Sequence, residues 1–323
     1  MFYRFLIAAL AFTVTTSALS NEHFEAGFER QTAADGTEIG IWYPASGTPT
    51  HQRLGLYAQD IVLGAKRPGG QHPLIVISHG TGGDFTGHLD TAVALARAGF
   101  VVAALTHQGD NWRDRSRATQ VERRPVALTG LITYMLTAWP GHEAIDERHI
   151  GAFGFSSGGF TVLAAAGGRP DLSRIADHCA KHPAFFDCTL VKGQGGATLE
   201  PWPETKDERI KAIVVAAPAL GFTFDEARLA RIRIPVQLWR ADDDRVLPAP
   251  FYADAVRVAL PQKPAFETMP GAGHFDFLAP CVDKTIAPQI CQSAPGFDRR
   301  AFHERFNARI VQFFTKKLKG RRG

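Results

Sequence analysis

The chain has 323 residues, of which 45% are hydrophobic and 21% are charged, and its formal net charge is +4. This composition is that of an ordinary globular protein with a core of normal size. The small excess of basic residues argues against a surface built to bind nucleic acid or anionic membranes. We therefore expect no nucleic-acid partner.

The first 20 residues have the features of a secretory signal peptide. Arg4 precedes an uncharged apolar run at residues 5–14, and small residues follow up to Ser20. The run is too short to span a bilayer, which takes roughly 20 residues, so a signal peptide is favoured over a membrane anchor. A first core helix is the alternative. We predict cleavage after Ser20, a mature domain of residues 21–323, no stable membrane insertion after cleavage, and a periplasmic or secreted location.

Short apolar segments with strand propensity alternate along the chain with helical patterns. The predicted strands are residues 38–43, 74–78, 100–105, 150–155, 212–217, 236–240 and 265–269. The predicted helices are residues 89–98, 125–137, 157–166, 251–259 and 302–318. Two of the strands contain continuously apolar runs, residues 74–77 and 213–216, as expected where both faces of a parallel sheet are covered. The alternation predicts one α/β domain with a doubly wound, mostly parallel sheet and helices on both faces.

Residues 79–83 read His-Gly-Thr-Gly-Gly and directly follow the strand at 74–78. Glycines allow backbone to approach a ligand closely. In an acyl-transfer reaction, two backbone N–H donors stabilise the negatively charged oxygen of the tetrahedral intermediate. We predict the N–H groups of Thr81 and Ser157 as these donors. A phosphate-binding loop is a poorer interpretation, because no Lys-Ser or Lys-Thr follows the glycines.

The segment at residues 108–117 follows the strand at 100–105, where an α/β sheet presents ligand contacts. Trp112 in this segment either lines a substrate pocket or belongs to a simple surface loop.

A Gly-x-Ser-x-Gly sequence lies at residues 154–158, between a predicted strand and a helix of small residues. In this setting a sharp turn exposes the serine hydroxyl. We predict Ser156 as a nucleophile. Ser157 is not the central serine, since Phe155 would then occupy the first glycine position.

Residues 167–208 interrupt the strand–helix alternation. A segment of this length without periodicity is usually functional or flexible. We interpret it as a cap-like insertion over the site, the alternative being a structural excursion on the far side.

Four cysteines fit the exported location. Cys179 and Cys188 are nine positions apart, and Cys281 and Cys291 are ten apart. Three pairings are possible, and we favour the two local ones because short loops keep the partners close. Neither spacing is that of a metal site. We predict no metal and no organic cofactor.

A serine hydroxyl needs a base, and in hydrolases with this turn the acid and then the histidine follow the serine along the chain. His274 lies in a glycine-containing loop after the last predicted strand and is the predicted base. Three aspartates follow the strand at 236–240, and one of them would stabilise the imidazolium. Asp244, four residues before Pro248, is favoured, and Asp243 and Asp242 are the alternatives.

These motifs together resemble the α/β-hydrolase superfamily. More narrowly, the chain is similar to predicted dienelactone-hydrolase-like proteins, which are related to platelet-activating-factor acetylhydrolases and bacterial polyester hydrolases. The matching stretches are residues 41–44, 78–83, 150–159, 241–248 and 271–275.

The resemblance implies the α/β-hydrolase fold, with Ser156, an aspartate at 243 or 244, and His274 as a triad. It also implies an oxyanion hole made by the amides of Thr81 and Ser157. The position of the acid in the acetylhydrolases and polyester hydrolases favours Asp244, and the string used by prolyl oligopeptidases favours Asp243. True dienelactone hydrolases have a cysteine nucleophile, so a serine at 156 argues against dienelactone turnover.

The function predicted is hydrolysis of a small-molecule carboxylic ester through an acyl-enzyme, in an esterase- or lipase-like manner. A serine peptidase of prolyl-oligopeptidase type is one alternative. A catalytically silent binding protein on the same fold is another, and it is disfavoured because a competent residue fills every triad position.

Overall fold

The computed structural model describes residues 24–196 and 202–320, so the predicted signal peptide lies outside the described residues. Its strands are β1 Glu25–Thr32, β2 Glu38–Ala45, β3 Thr50–Leu54, β4 Tyr57–Ile61, β5 His72–Ser78, β6 Val101–Leu105, β7 Ile145–Phe155, β8 Ile210–Ala216, β9 Val236–Ala241 and β10 Ala265–Met269. Its helices are α1 Leu89–Arg97, α2 Arg123–Thr137, α3 Ser157–Ala165, α4 Arg174–Lys181, α5 Phe186–Gly193, α6 Glu226–Leu229, α7 Ala253–Ala259, α8 Pro288–Cys291 and α9 Arg299–Phe314. The last helix continues as a π-helical turn, Thr315–Lys319.

The main sheet has eight strands in the order β1-β2-β6-β5-β7-β8-β9-β10. From β6 to β10 all neighbours are parallel, whereas β1 and β2 pair antiparallel at one edge. Strands β3 and β4 form a separate hairpin. The predicted α/β-hydrolase fold, with a mostly parallel sheet wound on both sides, is therefore confirmed.

Side chains of the sheet alternate between two hydrophobic cores, one on each face. Along β5, Leu74 and Val76 join the core formed with α2, α3 and α7, whereas Ile75 and Ile77 join the core formed with α1 and α9. The period of two residues in a strand causes this division. Burial on both faces explains the uninterrupted apolar runs at residues 74–77 of β5 and 213–216 of β8.

The predicted strands correspond to β2 and β5–β10, whereas β1, β3 and β4 are not among the predicted strands. These three carry polar and charged residues at partly exposed positions, and hence lack an apolar signal. The last helix begins at Arg299, three residues before the predicted start, because the Asp298 carboxylate caps it by accepting the Ala301 N–H at 3.1 Å.

Residues 167–208 contain α4 and α5, two short helices that are not among the predicted helices. The Cys179–Cys188 disulfide joins these helices, with Cα atoms 5.1 Å apart. The Cys281–Cys291 disulfide closes the chain between the His274 turn and α8, with Cα atoms 5.5 Å apart. Both are the local pairs favoured from the spacing.

Among the described residues, no helix combines the length and the apolarity needed to cross a bilayer.

Removal of either disulfide should lower the free energy of unfolding by about 2–4 kcal/mol, because a loop of this length is then free in the unfolded chain. Double Cys→Ser variants of each pair, unfolded in urea beside the parent, measure this loss. Alkylation of the native protein before reduction should modify no cysteine. Mass spectra with four alkylated thiols would contradict the pairing.

Candidate active site

Ser156 lies in a sharp turn between β7 and α3 with φ 55° and ψ −119°. A positive φ is unusual for a residue with a side chain and marks a strained position that the surroundings must hold. A Cβ atom at Gly154 would lie 2.0 Å from the Gly158 carbonyl oxygen, and one at Gly158 would lie 1.8 Å from the Ser78 carbonyl oxygen. Both positions of the motif therefore require glycine, because backbone occupies the space of a side chain.

The structure brings the hydroxyl of Ser156, the ring of His274 and the carboxylate of Asp244 together. His274 Nε2 is 3.1 Å from Ser156 Oγ, and His274 Nδ1 is 2.7 Å from Asp244 Oδ2. All three residues are buried. The carboxylate fixes the Nδ1–H tautomer, which leaves Nε2 free to accept the serine proton.

The neighbouring aspartates point elsewhere. Asp244 Oδ1 accepts the backbone N–H groups of Val246 at 2.9 Å and Leu247 at 2.7 Å, so its second oxygen is aimed at the histidine. Asp242 pairs with Arg240 at 2.8 Å, and Asp243 is exposed. Of the three candidate aspartates, Asp244 is the one whose carboxylate contacts His274.

A buried ion pair holds the turn that carries His274. Asp276 Oδ2 accepts the Gly273 N–H at 2.8 Å, and Asp276 Oδ1 accepts from Arg299 Nε at 2.9 Å. Ser293 Oγ donates to the same carboxylate at 2.5 Å, and Arg299 Nη1 donates to the Ile290 carbonyl at 2.8 Å. This network is not predicted from the sequence, since its members are separated along the chain and follow no motif.

The loop after β5 approaches the serine closely. A Cβ atom at Gly80 would lie 3.1 Å from Ser156 Cβ. The Gly80 carbonyl accepts from His79 Nδ1 at 2.6 Å and from the Gly83 N–H at 3.1 Å. In a trans peptide the N–H points opposite to the carbonyl, so these bonds turn the Thr81 N–H away from His79.

Ser157 is the first residue of α3, where the N–H has no acceptor in the preceding turn of helix and lies at the positive end of the helix dipole. The hydroxyl oxygens of Thr81 and Ser157 are 2.6 Å apart, which ties the two predicted oxyanion donors to each other.

The neutral imidazole ring of His79 donates one hydrogen bond and accepts another. Burial, together with the nearby charge of Arg124, holds the pKa of His79 well below its ordinary value. Its Nδ1 faces a carbonyl and must donate, whereas its Nε2 accepts the His107 N–H at 2.9 Å. Two backbone groups therefore fix one tautomer, which in turn fixes the Gly80 carbonyl.

Arg124 supports the same loop from behind. Its Nη1 donates to Asp110 Oδ2 at 2.5 Å, its Nη2 donates to the His79 carbonyl, and its Nε donates to Thr161 Oγ1 at 3.1 Å. Asp110 Oδ1 accepts the Gly82 N–H at 2.9 Å. Burial lowers the pKa of Arg124, and the opposite charge of Asp110 offsets only part of this effect. The pair fixes both ends of the segment from 79 to 82.

A surface cavity of about 700 Å³ lies behind this network, beside β6 and α2, and Asp110 and Arg124 are in its lining. Ser156, Asp244 and His274 do not line this cavity. It is therefore separate from the three residues that the structure brings together.

The α4–α5 segment packs against the elements that carry the site. Tyr252, eight residues after Asp244, donates its hydroxyl to the Asp187 carboxylate at 2.9 and 3.0 Å. The His178 ring stacks on Phe222 with centroids 3.7 Å apart, and burial lowers the pKa of His178 to about 4. Trp202, where the insertion returns, packs its ring edge-on against Phe160 of α3.

His178, Asp187 and Cys188 place possible metal-binding atoms within 4.8 Å of one another. Cys188 is bonded to Cys179 and has no thiolate to offer, and Asp187 already accepts from Tyr252. The cluster is a packing contact in this oxidised form of the chain.

A family model described as platelet-activating factor acetylhydrolase, isoform II, matches residues 50–126. The match covers about a quarter of the chain, from β3 to the start of α2. It includes Thr81, Asp110 and Arg124, whereas Ser156, Asp244 and His274 lie beyond it. No curated protein matches the chain significantly. The eight-stranded sheet has the architecture of the α/β-hydrolase fold, and over residues 50–126 the chain is similar to the acetylhydrolase family.

Proposed function

We propose that this protein is an exported serine hydrolase that cleaves carboxylic esters through an acyl-enzyme, with Ser156, Asp244 and His274 as its triad. The observation that carries the proposal is the continuous relay from Asp244 Oδ2 through His274 to Ser156 Oγ, at 2.7 and 3.1 Å. The partial match to an acetylhydrolase family supports an ester as the substrate.

In the first half-reaction His274 Nε2 takes the proton of Ser156 while Oγ attacks the ester carbonyl carbon. The oxyanion is bound by the N–H groups of Thr81 and Ser157. The tetrahedral intermediate collapses, the bond to the alcohol oxygen breaks, and His274 returns the proton to that oxygen. Water then attacks the acyl-enzyme by the same route and releases the carboxylic acid.

The two disulfides support export, because such bonds persist outside the reducing cytosol. The proposed location is periplasmic or secreted, with residues 1–20 as the signal. The experiment that tests the function uses p-nitrophenyl esters of graded acyl length, with peptide p-nitroanilides as the comparison and a fluorophosphonate as the covalent probe. Turnover of the anilides alone, or no labelling by the probe, would reject the proposal.

Ser156→Ala should lower kcat for p-nitrophenyl esters roughly 10⁶-fold and abolish fluorophosphonate labelling, because no nucleophile remains. Ser157→Ala keeps its backbone N–H and should still be labelled. Circular dichroism checks that both variants fold. Labelling of the Ser156→Ala protein would show that another residue is the nucleophile.

Asp244→Asn should lower kcat by about 10³- to 10⁴-fold, because an amide cannot stabilise the imidazolium and favours the wrong histidine tautomer. Asp243→Asn is the matched control, since Asp243 is exposed and should affect kcat by no more than about twofold. Steady-state kinetics of the two variants decide between them. A larger loss at position 243 would overturn the assignment of the acid.

His79→Ala should lower kcat about 10²-fold with little change in KM, because the Gly80 carbonyl loses its fixed donor and the Thr81 N–H is no longer held toward the oxyanion. His79→Asn places an amide N–H near the position of Nδ1 and should recover part of the rate. Equal kcat values for the alanine variant and the parent would remove His79 from the positioning of this donor.

A further inference from the structure

The loop after β6 lies directly on the segment that carries the proposed oxyanion donor. Asp110 accepts the Gly82 N–H at 2.9 Å, and the Trp112 N–H donates to the Gly83 carbonyl at 3.3 Å. These bonds attach residues 106–117, named here the β6 loop, to the two residues that follow Thr81.

The β6 loop is also braced internally. Asn111 Oδ1 accepts the N–H groups of Arg113 at 3.0 Å and Asp114 at 3.1 Å, and the Arg117 N–H donates to the Gly109 carbonyl at 2.7 Å. From the α4–α5 segment, Gln194 Nε2 donates to the Arg115 carbonyl at 2.8 Å. The backbone at Arg115 is therefore fixed before any ligand binds.

The guanidinium of Arg115 lies against Gly82. A Cβ atom at Gly82 would be 2.8 Å from Arg115 Nε and 2.9 Å from Nη2, so the guanidinium packs on the face of Gly82 where a side chain would begin. Gly82 is the residue next to Thr81 and has φ +70°, a conformation that glycine favours. The guanidinium of Arg115 thus lies against the residue that follows Thr81, whose N–H is a proposed oxyanion donor.

Two other arginines around this loop have acidic partners. Arg113 pairs with Glu38, and Arg124 pairs with Asp110. Across residues 24–196 and 202–320, no hydrogen bond or ion pair involves the Arg115 guanidinium. Residues 108–124 contain five arginines and three carboxylates, so the local charge is positive. Within the described residues the guanidinium groups of Arg117 and Arg123 also lack such partners, and Arg115 differs from them because its guanidinium lies against Gly82, next to Thr81.

We propose that Arg115 is a specificity residue that binds an anionic oxyacid group, a carboxylate or phosphate, on the ester substrate. The inference rests on the proposed ester hydrolysis. A guanidinium offers a planar fork of N–H donors that matches such groups. Its fixed backbone limits the ordering that binding requires. The anionic group belongs to either the acyl or the alcohol part of the ester.

Two pairs of isosteric esters test the inference. On the acyl side, the mono-p-nitrophenyl ester of adipic acid is compared with the p-nitrophenyl ester of adipic acid monoamide. On the alcohol side, 4-acetoxybenzoate is compared with 4-acetoxybenzamide. Each pair differs by one negative charge, so the ratio of kcat/KM within a pair measures recognition of that charge.

Arg115→Gln should lower kcat/KM for the anionic member of one pair about tenfold and change the neutral member by no more than about twofold. Arg117→Gln is the matched control, because it removes the same charge from the same loop while its side-chain carbons pack at Gly109. The preference of the parent enzyme should weaken in about 0.5 M NaCl, since salt screens an exposed pair.

Equal losses for the charged and the neutral esters in Arg115→Gln would overturn the inference, as would an equal effect of Arg117→Gln. Both outcomes leave ester hydrolysis standing, since the neutral esters report it independently. If the parent enzyme hydrolyses none of the four esters, the proposed function itself fails, and the role of Arg115 fails with it.

Discussion

The contact between backbone atoms at the end of β5 and the start of α3 is the constraint on which the site depends. The Ser78 carbonyl lies where a side chain at residue 158 would be, so the turn that strains Ser156 rests directly on β5. The same strand end begins the loop with Thr81. Ser156, the proposed nucleophile, and Thr81, a proposed oxyanion donor, are therefore placed relative to each other by main chain, which has fewer alternative conformations than side chains do.

Two buried ion pairs extend this rigidity to the loops. Arg124 with Asp110 fixes the segment around Gly82, and Arg299 with Asp276 fixes the turn before His274. Burying a charge pair costs desolvation energy, and apolar residues would often be at least as stable. Here each carboxylate also accepts a backbone N–H of a site loop. That coupling gives the pairs a geometric role that apolar packing would not supply.

The sequence predicted what local patterns encode. Apolar runs gave the buried parallel strands, and the glycine-flanked Ser156 followed from its strand–turn–helix context. The choice among three adjacent aspartates needed the structure, because it depends on which carboxylate meets the N–H groups of Val246 and Leu247. The pair Arg299–Asp276 and the edge strand β1 escaped prediction, since the first joins residues distant in sequence and the second is only partly buried.

Residues that position the chemistry are buried, whereas Arg115 is exposed. A buried ionic group cannot be exchanged without leaving its partner uncompensated, at a cost of about 3–5 kcal/mol. An exposed guanidinium contributes little to folding stability. The β6 loop is held by backbone bonds and by Asn111, so its shape does not depend on the side chain at 115. The charge recognition proposed there can change while Ser156, Asp244, His274 and their supports stay fixed.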